Sequence, residues 1–265
     1  MDPQLKLQEL LDSVVTDIAD RERIVKAIGE TTSATVSMEQ TSQIAGAEVD
    51  LGRAVRCGFP EVVYAEGKPA QLVVDVFRSQ QAVGQSSLAT RVSSEQAAAI
   101  QQAFPDAIYH PAARTVRRSV SEQSNEANLE PAVAVVTAGS CDLPVAAEAM
   151  ETLAWMGVAA RLIEDVGVAG PQRLLSHVPM LQKMKCIVCV AGMEAALPSV
   201  LGGHVNCPVI GVPTSVGYGA SFMGLAALLS MLNCCASNVV TVNIDGGFRG
   251  GYVAGMIASG QNALA

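Results

Sequence analysis

Residues 132–142 read AVAVVTAGSCD, an unbroken apolar run that closes on small and acidic residues. A continuously apolar run is typical of a parallel strand buried on both faces, and glycine, serine and aspartate after it are typical of a helix start. The same texture continues to residue 244, with strands predicted at 132–138, 159–163, 186–190, 208–212 and 239–244 and helices at 143–156, 171–184, 195–201 and 220–233. Such alternation predicts an α/β fold, with right-handed crossovers and helices on both faces of a parallel sheet.

A smaller α/β domain is predicted ahead of this sheet. Residues 5–28 carry apolar side chains at helical spacing and are predicted to form an amphipathic helix. Further elements are predicted as a strand at 61–64, a helix at 69–81, a strand at 88–92, a helix at 94–104 capped by Ser94, and a solvated strand edge at the basic run 114–118.

Residues 119–130 are dominated by Ser, Glu, Asn and Gln. Such a segment cannot offset its ordering entropy by burying apolar surface, so we predict a linker there. The chain is therefore divided into an N-terminal domain at 1–118, a linker at 119–130 and a larger domain at 131–265.

Composition narrows the function classes. The formal net charge is -8 and basic residues cluster only at 114–118, which argues against a nucleic-acid partner. The N-terminus lacks a signal-peptide pattern, and the most apolar window, residues 219–232, is shorter than a bilayer requires. We expect a cytoplasmic protein without a membrane partner, in which seven cysteines do not form a disulfide framework.

The loops after the predicted strands are the candidate binding site, because ligands of parallel sheets bind at the carboxyl ends of strands. Residues 139–142 and the glycine-rich residues 213–219 can present backbone N–H groups to a phosphate. The competing interpretations are a plain helix cap and a plain turn. Neither loop has the spacing of a Walker loop or of the GxGxxG dinucleotide fingerprint, so the spacing alone does not identify a nucleotide.

Thiols and carboxylates supply the candidate reactive groups. Cys186 and Cys189 lie in one apolar strand with side chains facing opposite ways, so we interpret them as core residues. The pair at 234–235 precedes the last strand and remains open as a nucleophile. Glu194 and Asp142 follow buried strands and suit proton transfer or Mg²⁺ binding, with helix capping as the alternative. No histidine follows a sheet strand, so a histidine-centred mechanism is not expected.

Several motifs resemble known families. Residues 139–144 (GSCDLP), 191–198 (AGMEAALP) and 208–213 (PVIGVP) resemble the loops of the PurE carboxylase family, although that family's Ser-Ala-His-Arg loop is replaced here by EDVGVAG at 164–170. The departures resemble the LarB family instead, and that resemblance also covers 213–219 (PTSVGYG), 231–236 (MLNCCA) and 53–64 (RAVRCGFPEVVY). The resemblance implies a PurE-like, flavodoxin- or Rossmann-like sheet domain.

The LarB resemblance also implies an activity. LarB proteins carboxylate nicotinic acid adenine dinucleotide with CO₂ or bicarbonate and hydrolyse its phosphoanhydride, and the order of the two steps is left open. For the hydrolysis we expect Mg²⁺ or a similar divalent cation as cofactor. The resemblance implies Cys235 as the nucleophile, with Cys234 left open as a sharer of that role, Glu194 as the base and Asp142 as second choice. The substrate-binding residues that we predict are Gly139, Ser140, Asp165, Gly167, Gly192, Met193, Pro213, Thr214, Ser215, Gly217, Tyr218, Gly219, Asn233, Arg53, Arg56 and Lys68, while the metal ligands are unknown.

Two other functions remain open at this point. One is a PurE-type aminoimidazole ribonucleotide carboxylase or mutase, and the other is a dinucleotide-binding module without catalysis. The Gly- and Ala-rich C-terminal helix predicted at 251–259 is apolar enough for an interface, so we expect a homo-oligomer, with an octamer as the candidate form.

Overall fold

The computed structural model describes residues 37–120 and 130–260. The amphipathic helix predicted at 5–28 and most of the predicted linker therefore lie outside the described residues.

The N-terminal part folds as a small α/β unit. It begins with a hairpin of β1 (Thr41–Ile44) and β2 (Ala47–Asp50). The elements that follow are α1 (Arg53–Cys57), β3 (Val63–Tyr64), α2 (Ala70–Ala82), β4 (Ser87–Thr90), α3 (Ser94–Ala103), β5 (Ile108–His110) and β6 (Thr115–Arg118). The last four strands form a mixed sheet in the order β3-β4-β6-β5.

Two local predictions in this domain were wrong. The cap of α3 is Ser93, whose side chain accepts from the Gln96 N–H, while Ser94 is the first helical residue. Strand β6 is not a sheet edge, because it pairs with β4 on one side and β5 on the other. Its guanidinium groups are partly buried in ion pairs, Arg117 with Glu151 and Arg118 with Asp106.

The C-terminal part confirms the predicted parallel sheet. The elements are β7 (Val133–Thr137), α4 (Leu143–Trp155), β8 (Ala160–Ile163), α5 (Pro171–Leu175), α6 (Val178–Leu181), β9 (Cys186–Ala191), α7 (Leu197–Gly202), β10 (Val209–Pro213), α8 (Leu225–Leu232), β11 (Val239–Thr241) and α9 (Gly247–Ala258). The five strands form one sheet in the order β11-β10-β9-β7-β8, and every pairing is parallel.

Helices cover both faces of this sheet. On one face, α4 and α9 pack against alternate strand residues such as Val133 and Val135. On the other face, α5 to α8 pack against the intervening residues such as Ala134 and Val136. This two-sided burial is the physical reason that the strands are continuously apolar.

The buried cysteines follow the same alternation. Cys186 packs on the α4 and α9 side and Cys189 on the opposite side, as predicted. Burial raises the pKa of the Cys186 thiol to about 12 and raises the pKa of Cys189 as well. Both thiols are therefore core residues and stay protonated.

Two predicted helices are shorter or broken. The helix predicted at 171–184 divides into α5 and α6, because Pro179 cannot donate a backbone hydrogen bond and its ring disfavours a continuous helix through it. The helix predicted at 220–233 begins only at Leu225. Before it, a 3-10 segment (Gly219–Gly224) places Phe222 and Met223 in left-handed conformations.

In the described ranges, every helix falls short of the length and apolar content that crossing a bilayer requires.

Candidate active site

A cavity of about 360 Å³ opens at the carboxyl ends of β7, β8 and β9. This carboxyl-edge cavity is where helices of a parallel sheet begin and where such folds bind ligands. Its walls come from the loops after those strands and include the predicted site residues Gly139, Ser140, Asp142, Asp165, Gly167, Gly192, Met193 and Glu194.

Asp142 joins two of the loops. Its Oδ1 accepts from the Thr214 hydroxyl at 2.7 Å, and its Oδ2 accepts from the Gly139 N–H at 2.9 Å. Burial raises the pKa of the Asp142 carboxyl, while the hydrogen bond from Thr214 opposes that rise. Asp142 and Thr214 thus hold the first loop against the glycine-rich loop, and both are buried.

Glu194 has a different environment. It is exposed at the cavity wall, and it stands between Met193 and Ala195, whose φ angles of 54° and 50° are left-handed. Such conformations cost free energy in residues with a Cβ and persist only where the surroundings hold them. Here the Met193 N–H donates to the Val216 carbonyl at 2.9 Å, so the turn that presents Glu194 is fixed on the glycine-rich loop.

The glycine-rich loop at 213–219 lies beside the cavity. Pro213 is the last residue of β10, and the Ser215 N–H donates to Asp245 Oδ1 at 2.8 Å. Gly217 has φ 150°, and a Cβ there would lie 2.4 Å from Ser221 Oγ, so only glycine fits this close turn. Of the loop residues, Val216 lines the cavity, while Tyr218 and Gly219 face solvent.

Cys235 and Asn233 lie elsewhere in the same chain. They follow α8 and precede β11, so they stand at the amino edge of the sheet. Gly202 at the end of α7 confirms that position, since a Cβ there would contact Ala236 at 2.8 Å. Five-residue β10 alone spans about 16 Å at the usual rise per residue. Within one chain, Cys235 and Glu194 are therefore not brought together.

The predicted cations of the N-terminal domain also lie away from the cavity wall. Arg56 forms an ion pair with Asp50, and Lys68 Nζ donates to the Tyr64 carbonyl at 2.7 Å. Arg53 is exposed at the start of α1. The structure leaves these side chains within or at the edge of their own domain.

Among the cavity residues missing from the predicted set, two carry a charge or a thiol. Arg173, in the first turns of α5, pairs with Asp165 at 2.8 Å and brings a guanidinium to the cavity. Cys141 is exposed there, between Ser140 and the buried Asp142. The sequence shows Arg173 as a basic residue three positions after the loop at 164–170, and this could have indicated a site residue. Its ion pair with Asp165 depends on the conformation of that loop, which the sequence does not show.

A magnesium ion shared with substrate phosphates would take its protein ligands from the cavity carboxylates. Among residues 37–120 and 130–260, no three His, Cys, Asp or Glu side chains are grouped as metal ligands. Mg²⁺ in nucleotide sites commonly uses only one or two carboxylates, with phosphate and water oxygens completing the shell. Both oxygens of Asp142 are engaged, but Asp165 contacts Arg173 through Oδ2 alone in the described structure. Of Asp142 and Asp165, Asp165 is therefore the carboxylate that would hold such an ion.

Comparison with known proteins gives the family. The model of the LarB/PurE-like N-terminal domain matches residues 41–120, and the AIR carboxylase model matches residues 132–265. An uncharacterised protein of Methanocaldococcus jannaschii is 38% identical over 221 residues, which cover 80% of this chain and 83% of that protein. A crystal structure of a PurE2 variant from Treponema denticola aligns with a TM-score of 0.43 and 21% identity over 51% of this chain and 83% of that one. With both domain models matched in this order, the chain belongs to the LarB family and carries a PurE-like carboxylase domain.

Proposed function

We propose that this chain carboxylates the pyridinium ring of nicotinic acid adenine dinucleotide and cleaves its phosphoanhydride. The products are pyridinium-3,5-biscarboxylic acid mononucleotide and AMP, as in the first step of nickel-pincer nucleotide cofactor synthesis. The observation that carries the proposal is the cavity that presents Glu194 beside the glycine-rich loop, in a chain with both LarB-type domains. A cavity of about 360 Å³ is at the small end for ligand sites, so it suits the pyridinium mononucleotide half.

The ring chemistry needs a nucleophile and a base. A pyridinium ring is too electron-poor to attack CO₂, so a thiolate first adds to a ring carbon and gives a neutral dihydropyridine. Its enamine carbon then forms a bond to CO₂. A base removes the proton at that carbon, and the returning electron pair restores the aromatic ring and expels the thiolate. Glu194, exposed at the cavity wall, is our candidate base, and Cys235 is our candidate thiol.

For Cys235 and Glu194 to act on one substrate, our proposal needs a second subunit. Because Cys235 stands at the amino edge and Glu194 at the carboxyl edge of one sheet, we infer that Cys235 of the partner subunit faces the cavity. An exposed apolar surface is available for that contact. It is formed by the outer side of the glycine-rich loop, the 3-10 segment (Gly219–Gly224) and α8, and its exposed side chains are Tyr218, Phe222, Met223, Leu225, Leu229 and Leu232. Large exposed apolar patches mark interaction surfaces, and repeated copies of one patch lead to symmetric assemblies.

The cavity residues also suit the hydrolytic step. A bound Mg²⁺ would supply charge neutralisation for cleavage of the phosphoanhydride. Asp165 would hold the ion, while Arg173 and the backbone N–H groups of Ser140 and Cys141 would orient the phosphate oxygens. Asp142 has a positioning role in this proposal, since its two oxygens hold the surrounding loops.

The thiol assignment is tested by intact-protein mass spectrometry with the dinucleotide, bicarbonate and Mg²⁺. The variants are Cys235→Ser, Cys234→Ser and Cys141→Ser, and the last is the matched control because it removes an exposed thiol from the cavity itself. We expect product formation and the protein–dinucleotide adduct to be lost only in Cys235→Ser. Loss of both in Cys141→Ser alone would assign the nucleophile to the cavity thiol of the same chain.

The shared site is tested with hybrid oligomers. Cys235→Ser and Glu194→Gln chains, each inactive by itself, are co-expressed with different tags and purified through both. If the two residues act across subunits, random assembly restores about one site in four. If they act within one chain, every site carries one lesion and the hybrids stay inactive.

A PurE-type reaction on aminoimidazole ribonucleotide remains the second candidate, because the AIR carboxylase model matches residues 132–265. The described cavity wall contains no histidine, whereas the PurE-family loop that the sequence lacks would supply one. Incubation with that ribonucleotide separates the two functions, since our proposal predicts no carboxylated imidazole product.

A further inference from the structure

The two domains meet along α4 and α9. Leu88 of β4 packs with Trp155 and Met156 at the end of α4, and Phe59 contacts the rings of Trp155 and Tyr252. Two ion pairs cross the same interface. Arg117 pairs with Glu151 at 2.9 Å, and Arg91 lies 3.5 Å from Glu148. Arg117 contacts a side chain on the surface of α4. Arg91 contacts Glu148 of α4 and also the main chain of Asp245, whose carboxylate bonds to the glycine-rich loop.

Arg91 directly follows β4 and has a left-handed φ of 56°. Its Nε faces Glu148 Oε1, and its Nη2 donates to the main-chain carbonyl of Asp245. One guanidinium from the N-terminal domain therefore holds a helix side chain and a loop backbone of the carboxylase domain together. A planar group with several donors can make both contacts, which the single ammonium of lysine cannot do in the same geometry.

Arg91 compensates the charge of Glu148, which is buried. Only 3% of the residue is exposed, and its Oε2 accepts from the Phe248 N–H at 3.0 Å in the first turn of α9. Burial raises the pKa of the Glu148 carboxyl, and Arg91 opposes that rise. Among the described residues, Arg91 is the one basic side chain within ion-pair distance of Glu148. Removing Arg91 would leave the buried Glu148 carboxylate without its compensating charge.

Asp245 connects Arg91 to the glycine-rich loop, because it bonds to both. Its φ of 53° is left-handed, its N–H donates to the Pro213 carbonyl at 2.8 Å, and its carboxylate accepts from the Ser215 N–H at 2.8 Å. The Arg91 contact to the Asp245 carbonyl therefore helps to hold a strained residue whose side chain fixes the start of that loop.

We propose that Arg91 is a positioning residue through which the N-terminal domain holds the glycine-rich loop in its binding conformation. The consequence for catalysis rests on the proposed function, because it assumes that this loop takes the phosphate of a dinucleotide. The effect of Arg91 on the conformation of the loop does not depend on the proposed function. Whatever the substrate is, the N-terminal domain then acts on the glycine-rich loop through the contact between Arg91 and Asp245.

The experiment compares Arg91→Ala, Arg91→Lys and Arg117→Ala in the full chain. The Arg117 variant is the matched control, since it breaks an ion pair across the same interface without reaching a site loop. Amide hydrogen exchange is measured on peptides covering 214–219 and 245–250 in the ligand-free protein, together with thermal unfolding and with KM and kcat for the dinucleotide.

We expect Arg91→Ala to raise exchange in both peptides by roughly tenfold, the size that loss of one hydrogen bond gives. Arg117→Ala should leave those peptides unchanged even if it lowers the unfolding temperature. Arg91→Lys should recover unfolding temperature, because it neutralises Glu148, but not the loop protection. KM should rise more than kcat falls in Arg91→Ala.

The two proposals fail in different ways. Equal exchange in Arg91→Ala and Arg117→Ala, or unchanged exchange in Arg91→Ala, overturns the role of Arg91 whatever the substrate is. Increased exchange without any turnover of the dinucleotide by the wild-type chain overturns the proposed function and leaves the positioning role in place.

Discussion

At the residue scale, the contact between Asp142 and Thr214 explains why two loops far apart in sequence form one site. The sequence marked Asp142 as a carboxylate after a buried strand and Thr214 as a loop hydroxyl. It did not show that the two residues bond to each other at 2.7 Å, because this depends on β7 and β10 flanking β9. The residue types could therefore be predicted, whereas the use of Asp142 in holding loops required the fold.

Thr214→Val tests this contact. The hydroxyl opposes the rise in the pKa of Asp142 that burial causes, so its loss should raise the pKa further. A raised carboxyl pKa contributes stability that is present below the unfolded-state pKa and is lost as pH rises through the folded-state pKa. The deficit in the free energy of unfolding should therefore grow from about pH 4 to about pH 7, towards about 1 to 3 kcal/mol.

Urea denaturation of the variant and wild type at both pH values measures this deficit. Thr152→Val is the control, because the buried Thr152 hydroxyl donates to a main-chain carbonyl at 2.7 Å and not to a titrating side chain. If the loss in the free energy of unfolding caused by Thr214→Val does not change with pH, like that of the control, the proposed effect of Thr214 on the pKa of Asp142 is wrong.

At the element scale, the sheet was predictable and the helix ends were not. Buried parallel strands are continuously apolar, so all five were found from the sequence to within a few residues. The helix predicted at 220–233 failed in its first turns because Gly224, at φ 92°, packs on the backbone of Thr214 where a Cβ would lie 2.6 Å from the carbonyl oxygen. That contact is made across the fold, and apolar spacing carries no signal of it.

The packing of α9 on α4 gives an element-scale prediction. A Cβ at Gly251 would lie 2.6 Å from the Ala149 carbonyl oxygen, so Gly251→Ala must push the two helices apart. We expect a loss of about 1 to 3 kcal/mol in the free energy of unfolding, the usual cost of overpacking. Gly203→Ala is the control, since Gly203 has an ordinary φ of −73° and a nearest contact of 3.4 Å.

Denaturant titration compares these two variants with the wild type. Equal stabilities of Gly251→Ala and Gly203→Ala would show that the helices can separate at no cost, against the close packing described here.

At the scale of the whole molecule, the sequence predicted a large parallel-sheet domain with a smaller domain before it. It did not predict where Cys235 would stand relative to Glu194. Their separation follows from topology, because the chain returns to the amino edge of the sheet after α8. Motifs along one chain carry no information about how two chains pack, so they could not predict the site that we propose between subunits.

Assembly is therefore a prediction at this scale. Leu229 is 49% exposed in the middle of the apolar face of α8, and Leu229→Glu should lower the molar mass measured by light scattering and abolish turnover. Ile108→Glu is the control, because Ile108 is 42% exposed on the edge strand β5 of the other domain. A wild-type chain that is monomeric at working concentration would contradict both the assembly and the shared site.

Carboxylation of the dinucleotide is the central claim, and incorporation of carbon-13 from labelled bicarbonate tests it most directly. The purified chain is incubated with nicotinic acid adenine dinucleotide, Mg²⁺ and the label, and the nucleotides are separated for mass spectrometry and carbon NMR. We predict a mononucleotide with one labelled carboxylate on the pyridinium ring, formed together with AMP. Absence of label from every product of the dinucleotide, together with labelling of aminoimidazole ribonucleotide in a parallel incubation, would contradict it.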